Sequence, residues 1–169
     1  VGMIFAANHP ERVRSLSVIA SVSEVGPDTA SAVKDWKRAA LEAPETLYQV
    51  MLSTTFSPEF VNANPALVAL GEARMEACDE AFFQSFAGLV DAFIELNITP
   101  LLKNVRCPSL VIAGEKDLLK PPAYSKIIAD NIANSELLLI PGAGHAVVLE
   151  KPEQINRALL EFIGRNQEP

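Results

Sequence analysis

The chain has 169 residues, of which 49% are hydrophobic and 21% are charged, so it is long and apolar enough for one globular domain with a core. Its 14 basic and 21 acidic residues give a net charge of −7, and the scattered basic residues disfavour binding to nucleic acid or to an anionic membrane. No apolar run approaches the roughly 18 residues of a membrane helix, so we expect a small-molecule partner, no nucleic acid and no membrane.

The two ends of the sequence alternate between short apolar strands and amphipathic helices. The predicted elements are a helix ending at residue 8, strands at 15–20, 109–113 and 136–140, and helices at 122–132 and 153–165. The strands are almost continuously apolar, which is typical of parallel strands covered on both faces. We therefore predict an α/β fold with about three parallel strands flanked by helices.

The middle of the sequence, from about residue 24 to residue 99, has a wholly helical pattern without a convincing strand. Prolines divide it into helices near 29–42, 45–53, 66–77 and 79–96. In the last of these helices, a single apolar face is predicted from the spacing of Phe82, Phe86, Leu89, Val90 and Phe93. This change of pattern predicts a core at residues 1–24 and 100–169 and an inserted helical segment at residues 25–99.

Two loops that follow predicted strands carry the residues of most chemical interest. Asp117 ends the segment Gly-Glu-Lys-Asp after the second strand, and His145 ends the segment Pro-Gly-Ala-Gly-His after the third. A neutral histidine can take a proton from a nucleophile and return it, and a carboxylate on its other ring nitrogen fixes the tautomer. We therefore predict His145 as the catalytic base and Asp117, in preference to Glu115, as the acid that orients it. Gly142 and Gly144 are expected to let the histidine loop turn tightly.

Simpler roles compete with these assignments. A histidine after a glycine-rich turn is often structural, and Asp117 could serve only as a turn residue. His9, before Pro10 at a helix end, is expected to make a surface contact. A group of aromatic residues in the helical segment is predicted to line a substrate pocket, with ordinary packing as the alternative for each member. These residues are Trp36, Phe56, Phe60, Phe82 and Phe86.

Three segments, in this order, resemble the carboxy-terminal part of the α/β-hydrolase family. His9–Leu16 resembles the segment that leads into the sixth strand of that fold, Cys107–Asp117 the seventh strand with its acid, and Pro141–His145 the histidine loop. Each segment alone is a weak indication, but the ordered set is specific and covers nearly the whole chain. The stretch Thr54–Pro65 resembles the helical cap of small lactonases and esterases, with 3-oxoadipate enol-lactonases as the nearest likeness.

This resemblance implies a partial α/β-hydrolase fold with residues 25–99 as its cap. It also implies cleavage of a carboxylic ester or lactone by a Ser-Asp-His triad. No Gly-x-Ser-x-Gly turn occurs in the sequence, and Val1 aligns about five residues after the family's nucleophile. We therefore expect the nucleophile, the strands before it and the oxyanion-hole donors to lie outside this chain, and the chain alone to be inactive.

Two alternatives to this function stay open on the sequence alone. The nucleophile could be an upstream aspartate, as in a haloalkane dehalogenase or an epoxide hydrolase, where the same histidine activates water against a covalent ester. The chain could also be a non-catalytic truncated remnant.

Cofactors, compartment and assembly are predicted from other features. Cys78 and Cys107 lie in unrelated contexts without metal-ligand spacing, which favours a reduced, cytoplasmic environment, with one disulfide as the alternative. The Gly-Ala-Gly at 142–144 lacks the rest of a dinucleotide motif, so no cofactor and no metal are expected. In the family, the strand at 15–20 pairs with a strand expected outside this chain. Its bare edge is therefore expected to pair with a second copy in a homodimer.

Overall fold

The computed structural model of the protein describes residues 1–166. Its strands are β1 (Leu16–Ile19), β2 (Ser109–Gly114) and β3 (Ser135–Ile140). Its α-helices are α1 (Gly2–Asn8), α2 (Pro27–Glu42), α3 (Leu47–Thr55), α4 (Pro58–Ala63), α5 (Pro65–Glu76), α6 (Glu80–Ile94), α7 (Pro122–Asn131), α8 (Val147–Glu150) and α9 (Pro152–Arg165). Short 3₁₀ helices lie at Pro10–Arg12, Pro44–Thr46 and Thr99–Asn104. Within residues 1–166, no helix is both long enough and apolar enough to cross a membrane.

The three strands form one parallel sheet in the order β1-β2-β3. Its register pairs Val18 with Val111 and Ile112 with Leu138. All residues of the central strand β2 are buried, because it has a strand on each side and helices on both faces. The predicted α/β fold with three parallel strands is therefore confirmed, and each strand lies within one residue of its predicted bounds.

Alternate residues of the strands belong to two hydrophobic clusters, one on each face of the sheet. The first cluster joins Val111 of β2 to Ile128 of α7, to α1 and to Leu102 of a 3₁₀ helix. The second joins Ile112 of β2 to α8 and to Phe162 of α9. Full burial of each such side chain contributes about 1.5–3 kcal/mol, so the two clusters fix β2 and β3 as the platform from which the following loops extend.

The outer strand β3 is less covered than its apolar sequence predicts. Leu137 and Leu139 are 37% and 43% exposed, whereas Ile140 is 2% exposed. β3 is the last strand of the sheet, and α7 divides its contacts between β2 and β3. The prediction that the strands are covered on both faces is therefore wrong for β3.

The residues between β1 and β2 form a helical assembly with its own hydrophobic core. α2, α3 and α6 enclose a cluster that includes Val33, Leu47 and Phe83. Proline occupies the first turn of α2, α4 and α5, where its missing N–H removes no helical hydrogen bond. Asp79 caps α6 by accepting a hydrogen bond from the backbone N–H of Phe82. The four helices predicted for this region are confirmed to within two residues at each end. In the one predicted at 45–53, the first turn is a 3₁₀ helix that leads into α3.

Two details of the helices differ from the predicted pattern. Phe83, Ala87 and Val90 form the buried stripe of α6, whereas Phe82 is 41% and Leu89 is 70% exposed. The single apolar face predicted for this helix is therefore wrong at Phe82 and Leu89, because α2 packs against a neighbouring stripe. The helices α4 and α8 are absent from the predicted set, since six and four residues are too few to show a helical period.

The helical assembly joins the sheet-containing part of the chain through a short neck. The backbone N–H of Ile98 donates to the carbonyl of Ser23 at 2.7 Å, and the hydroxyls of Ser23 and Thr99 are also 2.7 Å apart. Beside them, Glu24 and Asn97 form an isolated antiparallel bridge. The middle of the chain is therefore helical except at this neck, where its two ends pair with each other.

The outer edge of β1 generates a prediction about assembly. Within residues 1–166, β1 pairs only with β2, so its outer N–H and C=O groups offer a template for another strand. We expect the purified chain to form a homodimer through β1, with light scattering giving twice the 18.2 kDa chain mass. Ser17→Lys brings two like charges together across this pairing and should give a monomer, whereas Ser85→Lys, at an exposed position of α6, should leave the dimer intact. A stable monomer of the parent chain at micromolar concentration would contradict the dimer.

Candidate active site

Asp117 lies in the loop that follows β2, and its side chain is fully buried. Its backbone N–H donates to the carbonyl of Gly114 at 3.2 Å, which closes a turn. Its Oδ1 accepts a hydrogen bond from the backbone N–H of Lys120 at 2.7 Å. The loop therefore fixes one carboxylate oxygen and leaves Oδ2 for a further partner.

His145 lies in the loop that follows β3, directly after two glycine positions with different requirements. Gly142 has a φ of +68°, a left-handed conformation that glycine adopts without strain. Gly144 passes so close to the helical assembly that a Cβ on it would lie 2.7 Å from the backbone nitrogen of Ser57. One glycine thus permits the turn and the other permits the close approach.

The two loops bring Asp117 and His145 into direct contact. Asp117 Oδ2 lies 2.9 Å from His145 Nδ1, and the His145 side chain is 19% exposed. An ionised carboxylate can only accept hydrogen bonds, so Nδ1 donates this one and Nε2 of the neutral ring is an acceptor. Across residues 1–166, no side chain is hydrogen-bonded to Nε2. The pair therefore has the geometry of a base and its orienting acid, with the basic nitrogen available.

Glu115 and His9 lie outside this contact. Glu115 is exposed, and its carboxylate accepts a hydrogen bond from the backbone N–H of Gly142 at 3.1 Å. His9 is also exposed, and its ring packs against Phe5 with centroids 5.0 Å apart. The structure therefore places Asp117, and not Glu115, in contact with His145, and it places His9 at the surface.

A mostly apolar cavity of about 330 Å³ opens beside His145. Its walls come from α2, α3 and α6 and from the loop that carries Asp117. A larger cavity of about 630 Å³ lies between β3 and α9, but neither member of the Asp117–His145 pair lines it. We therefore place the candidate site in the smaller cavity.

Of the five aromatic residues predicted to line a substrate pocket, two line this cavity. Trp36 and Phe86 line it together with His145. Phe56 and Phe82 line a neighbouring cavity of about 340 Å³ instead, and Phe60 stacks on Phe56 with ring centroids 5.3 Å apart. The structure therefore places Phe56, Phe60 and Phe82 outside the cavity beside His145. The first two follow the end of α3, and Phe82 lies in the first turn of α6, short of the turns that reach His145.

Lys120 also lines the cavity, although no sequence motif marks it. Its Nζ lies 5.3 Å from the centre of the Phe93 ring, which is within the range of a cation–π contact. Burial lowers the pKa of Lys120, and the charge of Asp117 opposes this shift only in part. The cavity therefore contains a poorly solvated cation close to the candidate base.

Glu150, on α8, links the histidine loop to the helical assembly. Its Oε1 accepts from the backbone N–H of Ser57 at 2.8 Å, and its Oε2 accepts from the Ser57 hydroxyl at 2.6 Å. The backbone N–H of Ala146 donates to the carbonyl of Thr55 at 2.8 Å. These three hydrogen bonds fix the residues after His145 against the end of α3. Sequence periodicity carries no indication of them, because they join positions far apart in the chain.

Side chains that could bind a metal ion are not grouped together in the described residues. Among residues 1–166, no group of three or more His, Cys, Asp or Glu side chains is arranged to hold a metal ion. Cys78 and Cys107 are free thiols, and burial raises the pKa of Cys107. The disulfide alternative is therefore wrong for this structure.

Comparison with known proteins bears on the same loops and strands. The sequence profile of the alpha/beta hydrolase family matches residues 2–158, which include the helical assembly and the loops that carry Asp117 and His145. The chain belongs to the alpha/beta hydrolase family. Asp117 and His145 therefore lie in loops of an alpha/beta hydrolase sheet.

Three individual relatives of this alpha/beta hydrolase chain have sequence identities of 28% or less to it. The putative carbamate hydrolase RutD of Caulobacter sp. strain K31 is 28% identical over 174 residues, covering 96% of this chain and 60% of that protein. The alpha/beta hydrolase MGS-M2 from a Medee basin deep-sea metagenome library superimposes with a TM-score of 0.88 at 24% identity, covering 96% of this chain and 60% of that one. The enol-lactonase of Burkholderia xenovorans LB400 superimposes with a TM-score of 0.84 at 21% identity, covering 96% of this chain and 61% of that one. These two structures show a shared fold, and the chain spans about 60% of the length of these three proteins.

The Glu150 contacts of this alpha/beta hydrolase chain predict a stability effect. Glu150→Ala leaves the buried N–H and hydroxyl of Ser57 without acceptors, which costs on the order of 1–3 kcal/mol per buried group. We expect urea unfolding to show a loss of about 2–6 kcal/mol for the two groups together. Glu161→Ala, at an exposed position of α9, is the control and should stay within about 0.5 kcal/mol of the parent. Equal stabilities of the two variants would contradict a structural role for Glu150.

The lowered pKa of Lys120 predicts a pH-dependent effect on stability. When the pKa of a lysine is lower in the folded than in the unfolded protein, its charge lowers the free energy of unfolding as long as it is protonated in both states. This loss of stability shrinks as the pH rises toward the unfolded pKa of about 10.4. We therefore expect Lys120→Met to raise the free energy of unfolding more at pH 7 than at pH 10. Lys34→Met, on the exposed surface of α2, should show no such difference. A pH-independent effect of Lys120→Met in denaturant titrations would show that this penalty is absent.

Proposed function

We propose that this chain supplies His145 and Asp117 to an alpha/beta hydrolase that cleaves a carboxylic ester or a lactone. In this proposal, residues 25–99 form the cap over the site, and residues 1–24 and 100–169 belong to the hydrolase core. The single observation that carries the proposal is the 2.9 Å contact between Asp117 Oδ2 and His145 Nδ1 beside a cavity.

The proposed chemistry follows from the two nitrogens of His145. The bond to Asp117 holds the proton on Nδ1, so Nε2 takes the proton from a serine hydroxyl as that oxygen attacks the carbonyl carbon. The imidazolium that forms is stabilised by the buried carboxylate, and it returns the proton to the leaving oxygen. Water then repeats the sequence on the acyl-enzyme, which restores the serine and releases the acid.

The serine itself is proposed to lie in sequence upstream of Val1. Within residues 1–166, no hydroxyl, thiol or second carboxylate is hydrogen-bonded to Nε2. The chain spans 60% of the RutD relative and 61% of the enol-lactonase, which leaves room in those proteins for a nucleophile outside the matched region. A serine that precedes the acid and the histidine also agrees with their order in this family.

The names of the relatives support attack at a carbonyl carbon. RutD is described as a putative carbamate hydrolase, and the protein of Burkholderia xenovorans is an enol-lactonase. A carbamate, a lactone and an ester share a carbonyl carbon with a heteroatom leaving group, which suits nucleophilic acyl substitution. The mostly apolar cavity beside His145 favours a substrate with an apolar portion.

The proposal is tested with the product of the complete gene, including any residues encoded before Val1. We expect it to hydrolyse 4-nitrophenyl butyrate, with Asp117→Asn lowering kcat by about 10⁴ and His145→Ala by about 10⁵–10⁶. Glu115→Gln is the control, because its exposed side chain lies outside the pair and its loss should change kcat less than about threefold. The purified 169-residue chain should not exceed background hydrolysis, since its sequence contains no Gly-x-Ser-x-Gly turn.

Two outcomes would contradict this proposal. Turnover by the 169-residue chain that depends on His145 would place the nucleophile inside it. Mass spectrometry of trapped intermediates separates the alternatives at the nucleophile, because an acylated serine indicates an esterase or lactonase and an alkylated aspartate indicates a dehalogenase or epoxide hydrolase. Detection of the aspartate ester would overturn the serine chemistry while keeping the roles of His145 and Asp117.

A further inference from the structure

We propose that Glu150 is a positioning residue for His145, and that its carboxylate holds the turn of backbone that keeps the imidazole in contact with Asp117. This inference rests on the proposed function, because the imidazole that Glu150 positions is the proposed base. Glu150 makes no hydrogen bond to the imidazole itself and acts through the backbone beside it.

The backbone next to the imidazole has few restraints of its own. Within residues 1–166, no hydrogen bond is found to the backbone of Gly144 or His145. The nearest backbone bonds lie one residue further out on each side. Ala143 accepts at 2.8 Å from the acid loop, and Ala146 donates at 2.8 Å to the end of α3. The position of the two residues between these bonds therefore depends on what packs against them.

The carboxylate of Glu150 packs directly against Gly144. A Cβ on Gly144 would lie 2.8 Å from Glu150 Oε1 and 2.7 Å from the backbone nitrogen of Ser57. These two atoms are the partners of one hydrogen bond, 2.8 Å long. The residue before His145 therefore lies against this bond, with no space for a side chain between them. Movement of either partner changes the surface that supports the peptide before the imidazole.

Ser57 depends on Glu150 for both of its donors. Ser57 is 3% exposed, its N–H donates to Oε1, and its hydroxyl donates to Oε2 at 2.6 Å. The same hydroxyl accepts from the backbone N–H of Phe60 and so caps α4. Loss of the carboxylate leaves two buried donors unpaired, so the start of α4 must move or admit water.

The acid of the pair is held independently of Glu150. The Asp117 side chain is fully buried, and its Oδ1 accepts from the backbone N–H of Lys120 within the same loop. Loss of Glu150 therefore displaces His145 relative to a fixed carboxylate instead of moving the pair together. Because the bond from Nδ1 to Oδ2 sets the tautomer of His145, the tautomer reports this displacement.

The two histidines of the chain make the position of His145 measurable without catalysis. Nitrogen-15 NMR of the histidine-labelled chain at pH 9 gives the tautomer of each neutral ring, and exposed His9 is the internal reference. We expect His145 to favour the Nδ1–H tautomer at least about tenfold more than His9 does, because hydrogen bonds to charged groups are the stronger ones.

Substitutions at Glu150 test the source of this preference. Glu150→Ala should lower it at least about fivefold, whereas Glu150→Gln should keep it within about twofold, since an amide oxygen still accepts from the N–H of Ser57. Glu161→Ala, at an exposed position of α9, should match the parent. Ser57→Ala removes only the hydroxyl bond and should give an intermediate value, so it serves as the test if Glu150→Ala does not fold.

Kinetics of the complete gene product give a second readout. Glu150→Ala should lower kcat for 4-nitrophenyl butyrate about 10²-fold and change KM less than about threefold, because misplacing a reacting group by about 1 Å costs about that much in rate. Circular dichroism and urea unfolding define conditions in which every variant is folded. Under those conditions, a loss of stability alone leaves kcat unchanged.

Three results would overturn the inference. The first is an unchanged tautomer preference in folded Glu150→Ala, or in Ser57→Ala where Glu150→Ala does not fold. The second is an unchanged kcat of the same variant in an active gene product. The third is a Glu150→Gln variant as impaired as Glu150→Ala, which would indicate an effect of the charge and not of the hydrogen bonds.

The outcome can be separated from that of the proposed function. If the complete gene product lacks His145-dependent ester hydrolysis while the tautomer of His145 depends on Glu150, the hydrolase proposal fails and the positioning role stands. If hydrolysis depends on His145 but neither the tautomer nor kcat responds to Glu150→Ala, the hydrolase proposal stands and the positioning role fails.

Discussion

The close approach of two loops at the ends of β2 and β3 is the constraint on which the candidate site depends. The strands pair in register as far as Gly114 and Ile140, so the chain leaves the sheet at neighbouring points. The backbone N–H of Lys116 then donates to the carbonyl of Ala143 at 2.8 Å, which binds one loop to the other. A side chain on Gly114 would collide with the carbonyls of the histidine loop, so a residue without a Cβ is needed there. The orientation of His145 follows from this backbone contact before any side chain is considered.

The helical assembly contributes to the same site through a few polar contacts. The hydroxyl of Thr29 donates to the carbonyl of Leu119, and the backbone N–H of Gly26 donates to the hydroxyl of Tyr124. On the other side, Glu150 accepts from Ser57. The start of α2 is thus attached to the acid loop and the end of α3 to the histidine loop. The cavity lies between these two attachments, so its width is set by hydrogen bonds at both sides.

The sequence predicts the parts of the site that depend on local pattern and on strand order. The strands, the order of Asp117 and His145, and the contact between their loops all follow from apolar runs and from the rule that parallel strands end at one edge. The helical assembly is less predictable in detail. Phe82 and Phe86 lie one turn apart on the same side of α6 but line different cavities, because the first turn of α6 does not reach the cavity beside His145. Lys120 and Glu150 carry no motif, since their importance arises from burial and from partners distant in sequence.

The paired neck at Ser23 and Ile98 has a consequence for how this protein can vary. The chain enters and leaves the helical assembly at two points within hydrogen-bonding distance of each other, so the assembly is an excursion of the chain, that is, an inserted segment whose two ends are adjacent. Lengthening or replacing such an excursion leaves the distance between its ends unchanged, and the entropic cost of closing it grows only slowly with its length. We therefore expect that the helices between β1 and β2 can be lengthened or replaced while the strand ends that hold Asp117 and His145 keep their geometry.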